Sequence, residues 1–436
     1  MREMKDSGVE WIGKIPSDWK HVLLKYVCKF KTGGTPKNKE GIDFDGEYPW
    51  ITPNDFNESL HIRESKQKIS HESVISNRYS LFPAGSTLLV CIASVGKVGI
   101  IEQDSYSNQQ ITALKPLSKI VPKFLMYATV ACSDVITFKA SSNVVPIINT
   151  KTLGTIAIPI PTLTVQTKIA DFLDQKCSEI DALTSDIQTQ IDTLEEYKKS
   201  VITEAVTKGL DPNVEMKDSG IEWIGKIPKS WPVIRLKYSS WLKGRIGWHG
   251  LRTDEFIEDE QKPYLITGTD FDNGYINWNT CVHISEERYM QDLAIHIKEN
   301  DLLITKDGTI GKVAVAKNCP EKVSLNSGVF IIRNTRNYKY NDRYMYYLIQ
   351  SEQFCKWFEL SNSGNSTIRH LNQEKFYNFA FTYPAITEQT KIADFLDQKC
   401  LEIDQTISEK QQQLETLAEY KKSLIYEYVT GKREVA

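Results

Sequence analysis

The sequence lacks the long apolar segments that would place a chain across a membrane. None of its apolar runs approaches the eighteen residues that a membrane-spanning helix needs. The first eleven residues, MREMKDSGVEW, contain no apolar core of a secretory signal. We therefore expect a globular protein in the cytoplasm.

Cysteine and histidine are present but never clustered. The eight Cys occur singly, without a C-x-x-C pair, and the seven His are isolated from one another. A structural zinc site needs closely spaced Cys and His ligands, so we predict no metal site. Because disulfides are rare in reducing compartments, we expect mostly buried, reduced thiols.

Signatures of catalysis are also absent. In the segment Gly308–Lys312 the spacing is too short for a P-loop, and Val313 follows the Lys where Ser or Thr is required. No G-x-G-x-x-G, H-E-x-x-H or G-x-S-x-G motif occurs. Asp307 beside Lys306 faintly resembles a nuclease constellation, but an Asp-Gly turn explains it better. We therefore predict no catalytic residue and no cofactor bound by this chain.

What the sequence does contain is an internal repeat that covers nearly its whole length. MKDSGVEWIGKIP at 4–16 returns as MKDSGIEWIGKIP at 216–228, and QTKIADFLDQKC at 166–177 returns unchanged at 389–400. Each half therefore contains an opening motif rich in Trp, a divergent globular segment and a long helix. We assign the opening motifs to residues 1–19 and 210–231, the globular segments to 20–160 and 232–385, and the helices to 161–209 and 386–436.

Both long helices carry a narrow apolar stripe with the seven-residue spacing of a coiled coil. A helix from Gln166 to about Lys208 would be roughly 65 Å long at 1.5 Å per residue, which suits a spacer. Burial in an ordinary core is the alternative, although so narrow a stripe favours pairing of the two helices. Leu183 also falls on the first stripe. The predicted seam consists of Ile169, Leu173, Ile180, Ile187, Ile191, Leu194, Val201, Ile392, Leu396, Ile403, Ile407, Leu414, Leu417 and Leu424.

Positive charge is concentrated in the two globular segments. The net charge is −3 overall, but residues 20–160 carry +5, residues 232–385 carry +1 and the remainder carries −9. This distribution fits a phosphate-facing surface on the segments that lie between the helices in the sequence. The net charge of +1 on the second segment is by itself no basic patch.

A common skeleton runs through both globular segments and predicts mixed α/β modules. Leu88–Lys97 corresponds to Leu303–Lys312, and each is predicted to form a strand, a Gly turn and a second strand. Leu125–Tyr127 corresponds to Tyr344–Tyr346 in a predicted helix. The two segments are therefore predicted to share one fold.

Polar and basic loops beside turns supply candidate DNA contacts in both segments. Glycines let backbone N–H groups approach an anion, and basic and amide side chains hold phosphates or read base edges. For any single residue, a solvated surface loop remains an open alternative. The candidates in the first segment are Lys31, Thr32, Gly33, Thr35, Lys37, Thr52, Asn54, Asp55, Ser94, Lys97, Asn108 and Gln109. Those in the second are Arg245, Trp248, His249, Arg252, Thr267, Thr269, Asp270, Lys306, Thr309, Lys312, Asn326, Ser327, Arg369 and His370.

The whole arrangement resembles the specificity subunit of a type I restriction-modification system. The resemblance rests on the twin opening motifs, on QTKIADFLD at 166–174 and 389–397, and on EYKKS at 196–200 and 419–423. The family usually has Glu-Gln at the start of the helix. Glu388-Gln389 keeps this pair, whereas Val165-Gln166 does not.

The resemblance implies two target recognition domains, each reading one half of a split double-stranded DNA site, held apart by two long antiparallel helices. It implies that the chain is non-catalytic and docks two modification subunits, which use S-adenosylmethionine to methylate adenine. Restriction subunits that depend on ATP and Mg are implied as further partners. A catalytic methyltransferase or nuclease component, or a coiled-coil scaffold that binds protein, are the alternatives.

The order of the repeat also predicts how the DNA site is spaced. Antiparallel pairing of the two helices would give one chain an approximate two-fold axis, as in a dimer. Half-sites would then lie about one turn of DNA apart, roughly 34 Å. We therefore predict a bipartite site whose unread gap is set by helix length.

Overall fold

A computed structural model describes residues 2–34, 46–57, 59–140, 145–245, 251–335, 338–362 and 370–435. The chain divides into two compact units, one formed by residues 1–189 and 410–436 and the other by residues 190–409. Each unit combines one α/β module with a part of each long helix.

The first unit contains twelve described strands. They are β1 Met4–Asp6, β2 Lys14–Pro16, β3 Lys20–Leu23, β4 Cys28–Thr32, β5 Tyr48–Ile51, β6 His61–Ile62, β7 Gln67–Ile69, β8 Thr87–Val90, β9 Val98–Ile101, β10 Tyr106–Ser107, β11 Ile111–Pro116 and β12 Ala157–Ile160. Its short helices are α1 His71–Asn77, α2 Pro122–Ala131, α3 Ser133–Lys139 and α4 Thr150–Leu153. The main sheet has the order β4-β11-β8-β9-β6, beside smaller sheets β10-β5-β7, β12-β3 and β1-β2.

The second unit repeats this plan. Its strands are β13 Met216–Asp218, β14 Lys226–Pro228, β15 Val233–Arg235, β16 Ser240–Gly244, β17 Tyr264–Ile266, β18 Phe271–Asp272, β19 Tyr275–Ile276, β20 Val282–His283, β21 Leu302–Thr305, β22 Val313–Val315, β23 Val323–Leu325, β24 Val329–Asn334 and β25 Ala380–Thr382. Its short helices are α6 Leu236–Ser239, α7 Glu286–Met290, α8 Asp342–Gln350, α9 Glu352–Ser361 and α10 Gln373–Tyr377. The main sheet has the order β16-β24-β21-β22-β19-β18.

The matched hairpins β8–β9 and β21–β22 form the centre of each main sheet, as a strand, a Gly turn and a strand. Every residue of β8, β9 and β21 is buried, which explains their continuous apolar sequences. In each module a strand near its beginning pairs with a strand near its end: β3 with β12 in the first and β15 with β25 in the second. The predicted mixed α/β fold is therefore present in both units.

The two long helices are α5 Leu163–Lys208 and α11 Ile386–Val429. Each is followed by a glycine with positive φ, Gly209 at 80° and Gly431 at 72°. Only glycine adopts this left-handed conformation without strain, and it is the common way to end a helix. The helix stops predicted from these glycines are confirmed.

The two long helices run antiparallel within each unit. In the first unit Leu173 and Leu424 share one core cluster, and Lys421 forms an ion pair with Asp181. In the second, the equivalent pair joins Lys198 Nζ to Asp404 Oδ2 at 2.6 Å. Lys198 and Lys421 are 223 residues apart, and so are Asp181 and Asp404. The two ion pairs therefore occupy equivalent positions of the repeat.

Most residues of the predicted seam lie on the buried stripe of each helix, but the seven-residue pattern turns gradually away from this stripe along the helix. Leu183 is 48 % exposed, so its predicted place on the stripe is wrong, and buried Ile202 takes over where Val201 is half-buried. A seven-residue repeat drifts about 20° per heptad around an α-helix, which turns Val201 away from the stripe that Leu173 begins. Buried seam residues are Ile169, Leu173, Ile180, Ile187, Ile191, Ile392, Leu396, Ile403 and Leu424; half-buried ones are Leu194, Val201, Ile407, Leu414 and Leu417.

A buried glutamine anchors each module to its long helix and fixes the correspondence between α2 and α8. Gln166 Oε1 accepts the backbone N–H of Val121 at 2.8 Å, and Gln389 Oε1 accepts that of Asn341 at 2.9 Å. Tyr127 therefore corresponds to Tyr347. The predicted match of Leu125–Tyr127 with Tyr344–Tyr346 was wrong by one residue, because the adjacent tyrosines allowed either alignment.

All eight cysteines are free thiols, and six of them are buried. Burial raises the pKa of Cys28 to about 12 and that of Cys177 to about 11, so these thiols are poor nucleophiles at neutral pH. Within the described ranges, no helix combines the length and the apolar character needed to cross a membrane.

Candidate nucleic-acid interface

The predicted loops of the first unit lie side by side. We call the described residues 31–34, 52–55, 93–97 and 108–110 the first rim. Backbone hydrogen bonds link neighbouring loops: Gly34 N–H to Ser107 O (3.0 Å), Asn108 N–H to Ile51 O (3.4 Å), Cys91 N–H to Gln110 O (2.7 Å) and Ile148 N–H to Cys91 O (3.0 Å). The loops thus form one continuous surface although they lie far apart in the sequence.

The second unit builds an equivalent surface, the second rim, from residues 251–252, 267–270, 306–312, 326–328 and 370. Its loops are joined by Asn326 N–H to Ile266 O (2.9 Å), Lys306 N–H to Gly328 O (2.8 Å) and Leu371 N–H to Lys306 O (3.0 Å). Each of these bonds has its counterpart among those of the first rim, at the matched positions of the repeat. The two rims therefore share a backbone framework but display different side chains.

Two carboxylates among the candidate contacts are structural. Asp55 accepts bonds from the Thr52 N–H and hydroxyl, both at 2.7 Å, and Asp270 accepts the same pair from Thr267 at 2.7 and 2.9 Å. Both Asp residues are buried. We correct their assignment: they close the turns that carry exposed Asn54 and Thr269, because their oxygens are already occupied by backbone and hydroxyl donors.

Arg245 is also internal and its assignment as a DNA contact is corrected. Its Nε donates to Leu325 O at 3.0 Å and its Nη2 to Ser324 Oγ at 3.1 Å, with the residue only 3 % exposed. Burial lowers the pKa of this guanidinium. Arg245 therefore holds β23, the strand that precedes residues 326–328 of the second rim.

The remaining described candidates line the rims. Exposed candidates are Lys31, Thr32, Asn54, Ser94, Lys97, Gln109, Arg252, Thr269, Thr309, Lys312 and His370. Half-buried candidates are Gly33, Thr52, Asn108, Thr267, Lys306, Asn326 and Ser327. Thr35, Lys37, Trp248, His249 and Arg369 lie outside the described residues. DNA contact by each rim residue stays a prediction.

Close packing and backbone strain mark the first rim. A Cβ on Gly33 would lie 2.1 Å from Asn108 O, so only glycine fits between these loops. Ala93 adopts φ 66°, a left-handed conformation that costs a non-glycine residue roughly 1–2 kcal/mol, whereas its counterpart in the second rim is Gly308. Strain of this kind is typical of functional loops.

An acid–base cluster that sequence reasoning missed joins the first module to α5. Asp174 forms an ion pair with Lys123, accepts the Tyr127 hydroxyl at 2.7 Å, and lies 3.5 Å from His61 Nε2. Burial alone would raise the pKa of Asp174, but hydrogen bonds from His61, Lys123 and Tyr127 outweigh it and lower the pKa to about 2. The hydrogen bond to Asp174 in turn raises the pKa of His61, against the opposing effect of burial.

The second unit holds the same contact with different residues. Asp397 pairs with Arg343 and accepts the Tyr347 hydroxyl at 2.8 Å. The signal in the sequence was the repeated Asp of the QTKIADFLD segments, but its partners could be recognised only with the corrected α2–α8 alignment. The cluster holds each module on its helix.

Comparison with known proteins gives the same assignment over most of the chain. The family described as the type I restriction modification DNA specificity domain matches residues 16–193 and 249–416. The type I restriction enzyme MjaVIII specificity subunit of Methanocaldococcus jannaschii is 25 % identical over 430 residues, covering 97 % of this chain and 94 % of the relative. The putative MjaX specificity subunit of the same organism is 26 % identical, covering 97 % and 96 %.

One solved structure supports the fold. It is described as the structural basis of complex assembly and conformational transition of the type I R-M system, and it aligns with a TM-score of 0.70 at 13 % identity, covering 96 % of this chain and 99 % of that one. With a duplicated α/β module, paired long helices and a family match in both halves, the chain belongs to the type I restriction-modification DNA specificity family.

Proposed function

We propose that each rim reads one half of a bipartite DNA site, so that the chain supplies sequence specificity to a larger complex. The observation that carries the proposal is the shared hydrogen-bonded framework of the two rims, which presents different exposed side chains in each unit. A common framework docks on the common feature of DNA, its backbone, while variable side chains distinguish the bases. The exposed Lys31 and Lys97 of one rim and Arg252 and Lys312 of the other suit a polyanionic partner.

The helices carry a second duplicated surface, which we propose docks two copies of one partner. Several residues are exposed in both halves and yet identical: Lys168 and Lys391, Asp171 and Asp394, Gln175 and Gln398, Glu196 and Glu419, Tyr197 and Tyr420, Lys199 and Lys422, Ser200 and Ser423. Exposed positions are free of the packing that constrains a core, so their identity across two diverged halves favours recognition. The partner that fits is a modification subunit, bound once per unit.

The chemistry then belongs to the partners. S-adenosylmethionine would be bound by the modification subunits, and ATP and Mg by restriction subunits, with this chain acting in the cytoplasm as the non-catalytic recognition component. Its own residues bind DNA and orient the partner, and no methyl transfer or cleavage step is assigned to them.

The docking proposal is tested by stoichiometry. Tyr197→Asp and Tyr420→Asp should each reduce the complex from two modification subunits to one, and the double variant should bind none, as measured by native mass spectrometry. Tyr275→Asp is the matched control, because Tyr275 is 55 % exposed but has no identical partner in the repeat. Two bound subunits in the double variant would refute the assigned surface.

The recognition proposal is tested by selecting DNA from a randomised duplex library with the complex of this chain and its modification subunits. The expected result is a motif in two parts separated by unselected positions. Absence of any enriched sequence would refute it.

A further inference from the structure

The most exposed large apolar side chain of the described residues is Phe138, at 91 %. It lies near the end of α3, whose buried contact with the core is made by Ile136. In the second unit, the corresponding short helix α9 buries Phe354 and Trp357, each 3 % exposed, and leaves Phe358 half-buried. The fold therefore does not require an aromatic side chain to protrude at this place.

Phe138 stands beside the first rim. The hydroxyl of the preceding residue, Thr137, donates to Ser133 O within α3 at 2.9 Å and lies 3.4 Å from Val95 O of the turn 93–97. A Cβ on Gly96 of this turn would lie 2.7 Å from Thr137 Oγ1, so the two segments are in close contact. Phe138, the next residue of α3, therefore lies close to the turn 93–97.

The same turn also contacts a second apolar segment. Ala93 N–H donates to Pro146 O at 3.0 Å, and Ile92 forms a bridge with Ile147. Ile147 is 44 % exposed. The strained turn at Ala93 therefore contacts two segments that carry exposed apolar side chains, Phe138 in α3 and Ile147.

The charges around Phe138 favour a nucleic acid over a protein surface as the occupant. Lys139 follows it directly and Lys97 lies in the adjoining turn, and both are exposed. The nearby Asp134 is engaged with Lys422 at 2.7 Å. An aromatic ring flanked by lysines is complementary to DNA, because the ring can pack on an apolar base face while the lysines face the phosphates on either side.

We propose that Phe138 is a base contact of the first half-site, packing its ring against the apolar surface of a base while Lys97 and Lys139 face the neighbouring phosphates. This inference rests on the proposed DNA-reading function of the first rim. Proteins use protruding apolar side chains in this way, either stacked on bases or placed against thymine methyl groups.

Salt dependence separates this contact from the ionic ones. Each phosphate contact adds about one unit to the slope of log K against log salt, whereas an apolar contact adds none. In the complex with modification subunits, Phe138→Ala should weaken binding to the selected DNA about 5- to 100-fold with an unchanged slope. Lys97→Ala should weaken binding and reduce the slope by about one. Ile75→Ala, which removes another exposed apolar side chain from the same unit (62 % exposed), should change neither.

The inference and the function fail in different ways. If Phe138→Ala binds DNA as tightly as the unaltered complex while Lys97→Ala does not, the inference is overturned and the first rim still binds DNA. If Phe138→Ala instead impairs assembly with modification subunits, the ring is a protein contact and the inference is equally overturned. If the unaltered complex shows no sequence preference, the proposed function itself fails.

The chemical nature of the contact is read from the DNA. Replacing each thymine of the first half-site by uracil should reproduce the loss at one position if the ring packs on a methyl group. A rise in the fluorescence of 2-aminopurine placed in the half-site, which disappears in Phe138→Ala, would show instead that the ring inserts beside a base and separates it from its stacked neighbour. Neither effect at any position of the half-site would contradict a base contact.

Discussion

The indole Nε1 of Trp231 donates a hydrogen bond of 3.0 Å to Glu388 Oε2. In the first unit Trp19 occupies the equivalent place, 2 % exposed, and its Nε1 has no hydrogen-bond partner among the described residues. The cause is a departure from the repeat in the first turn of the helices, where Val165 stands in place of Glu388.

We therefore predict that Val165→Glu stabilises the protein. A buried donor without a partner costs about 1–3 kcal/mol, and Val165 is half-buried, so a carboxylate there would keep some contact with water. The free energy of unfolding, measured by urea denaturation, should rise by about 1 kcal/mol. Glu388→Val is the mirror variant and should lower it. A destabilised Val165→Glu protein would show that the first unit cannot accommodate the bond.

The Asp174 cluster should make stability depend on pH. Because the folded-state pKa of Asp174 is lowered to about 2, its contribution is present above the ordinary carboxyl pKa and is lost as pH falls through about 2. Because the pKa of His61 is raised above its ordinary 6.5, its contribution is complete below that value and is lost as pH rises through the raised folded pKa.

The difference in unfolding free energy between the unaltered protein and Asp174→Asn should therefore be largest between about pH 4 and pH 6. In the variant the pKa of His61, followed by NMR, should fall. A difference that stays constant from pH 4 to pH 9 would show that His61 and Asp174 do not interact. Asp171→Asn, which alters an exposed carboxylate three residues away on the same helix, serves as the control.

The second rim offers its own electrostatic test. Lys312 is exposed in the turn between β21 and β22, where a phosphate contact would be independent of sequence. Lys312→Ala should weaken binding to all DNA sequences alike and lower the salt slope by about one. Lys298→Ala, an exposed lysine outside the rim, should leave the slope unchanged. If both variants behave alike, the turn is structural.

Helix length should set the gap between the half-sites. Four residues inserted between Thr189 and Leu194 lengthen α5 by about 6 Å, which is close to two base-pair rises of roughly 3.4 Å. The half-sites should stay the same while the gap grows by one or two base pairs. An active insertion variant with an unchanged gap would show that the helices are not the spacer.

The sequence predicted those features that are encoded locally or by repetition. Gly209 and Gly431 mark the helix ends, and the hairpin around Gly96 and Gly311 was recognisable from turn residues between apolar strands, because such signals act over a few residues. The seam was predictable as far as the helical period allows, and failed at Leu183, which lies about 80° around the helix from Leu173 although the later Ile187 and Ile191 are buried.

What escaped prediction depends on tertiary contacts. Arg245 was assigned to DNA because basic residues in loops are usually exposed, yet it is held by Leu325 and Ser324, some eighty residues away. Asp55 and Asp270 lie in polar loop sequences, where an aspartate is ordinarily exposed. That their carboxylates are buried follows only from the folded structure. The protruding ring of Phe138 gave no signal, since an aromatic in a short amphipathic helix ordinarily belongs to the core.

The most direct measurement of the central claim is a map of methylated adenines in a host that carries the modification subunits and this chain with residues 20–160 replaced by the matching segment of a relative. If each unit reads its own half-site, the methylated motif should change in one half and keep the other half unchanged. A change in both halves, or in neither, would contradict independent recognition by the two units.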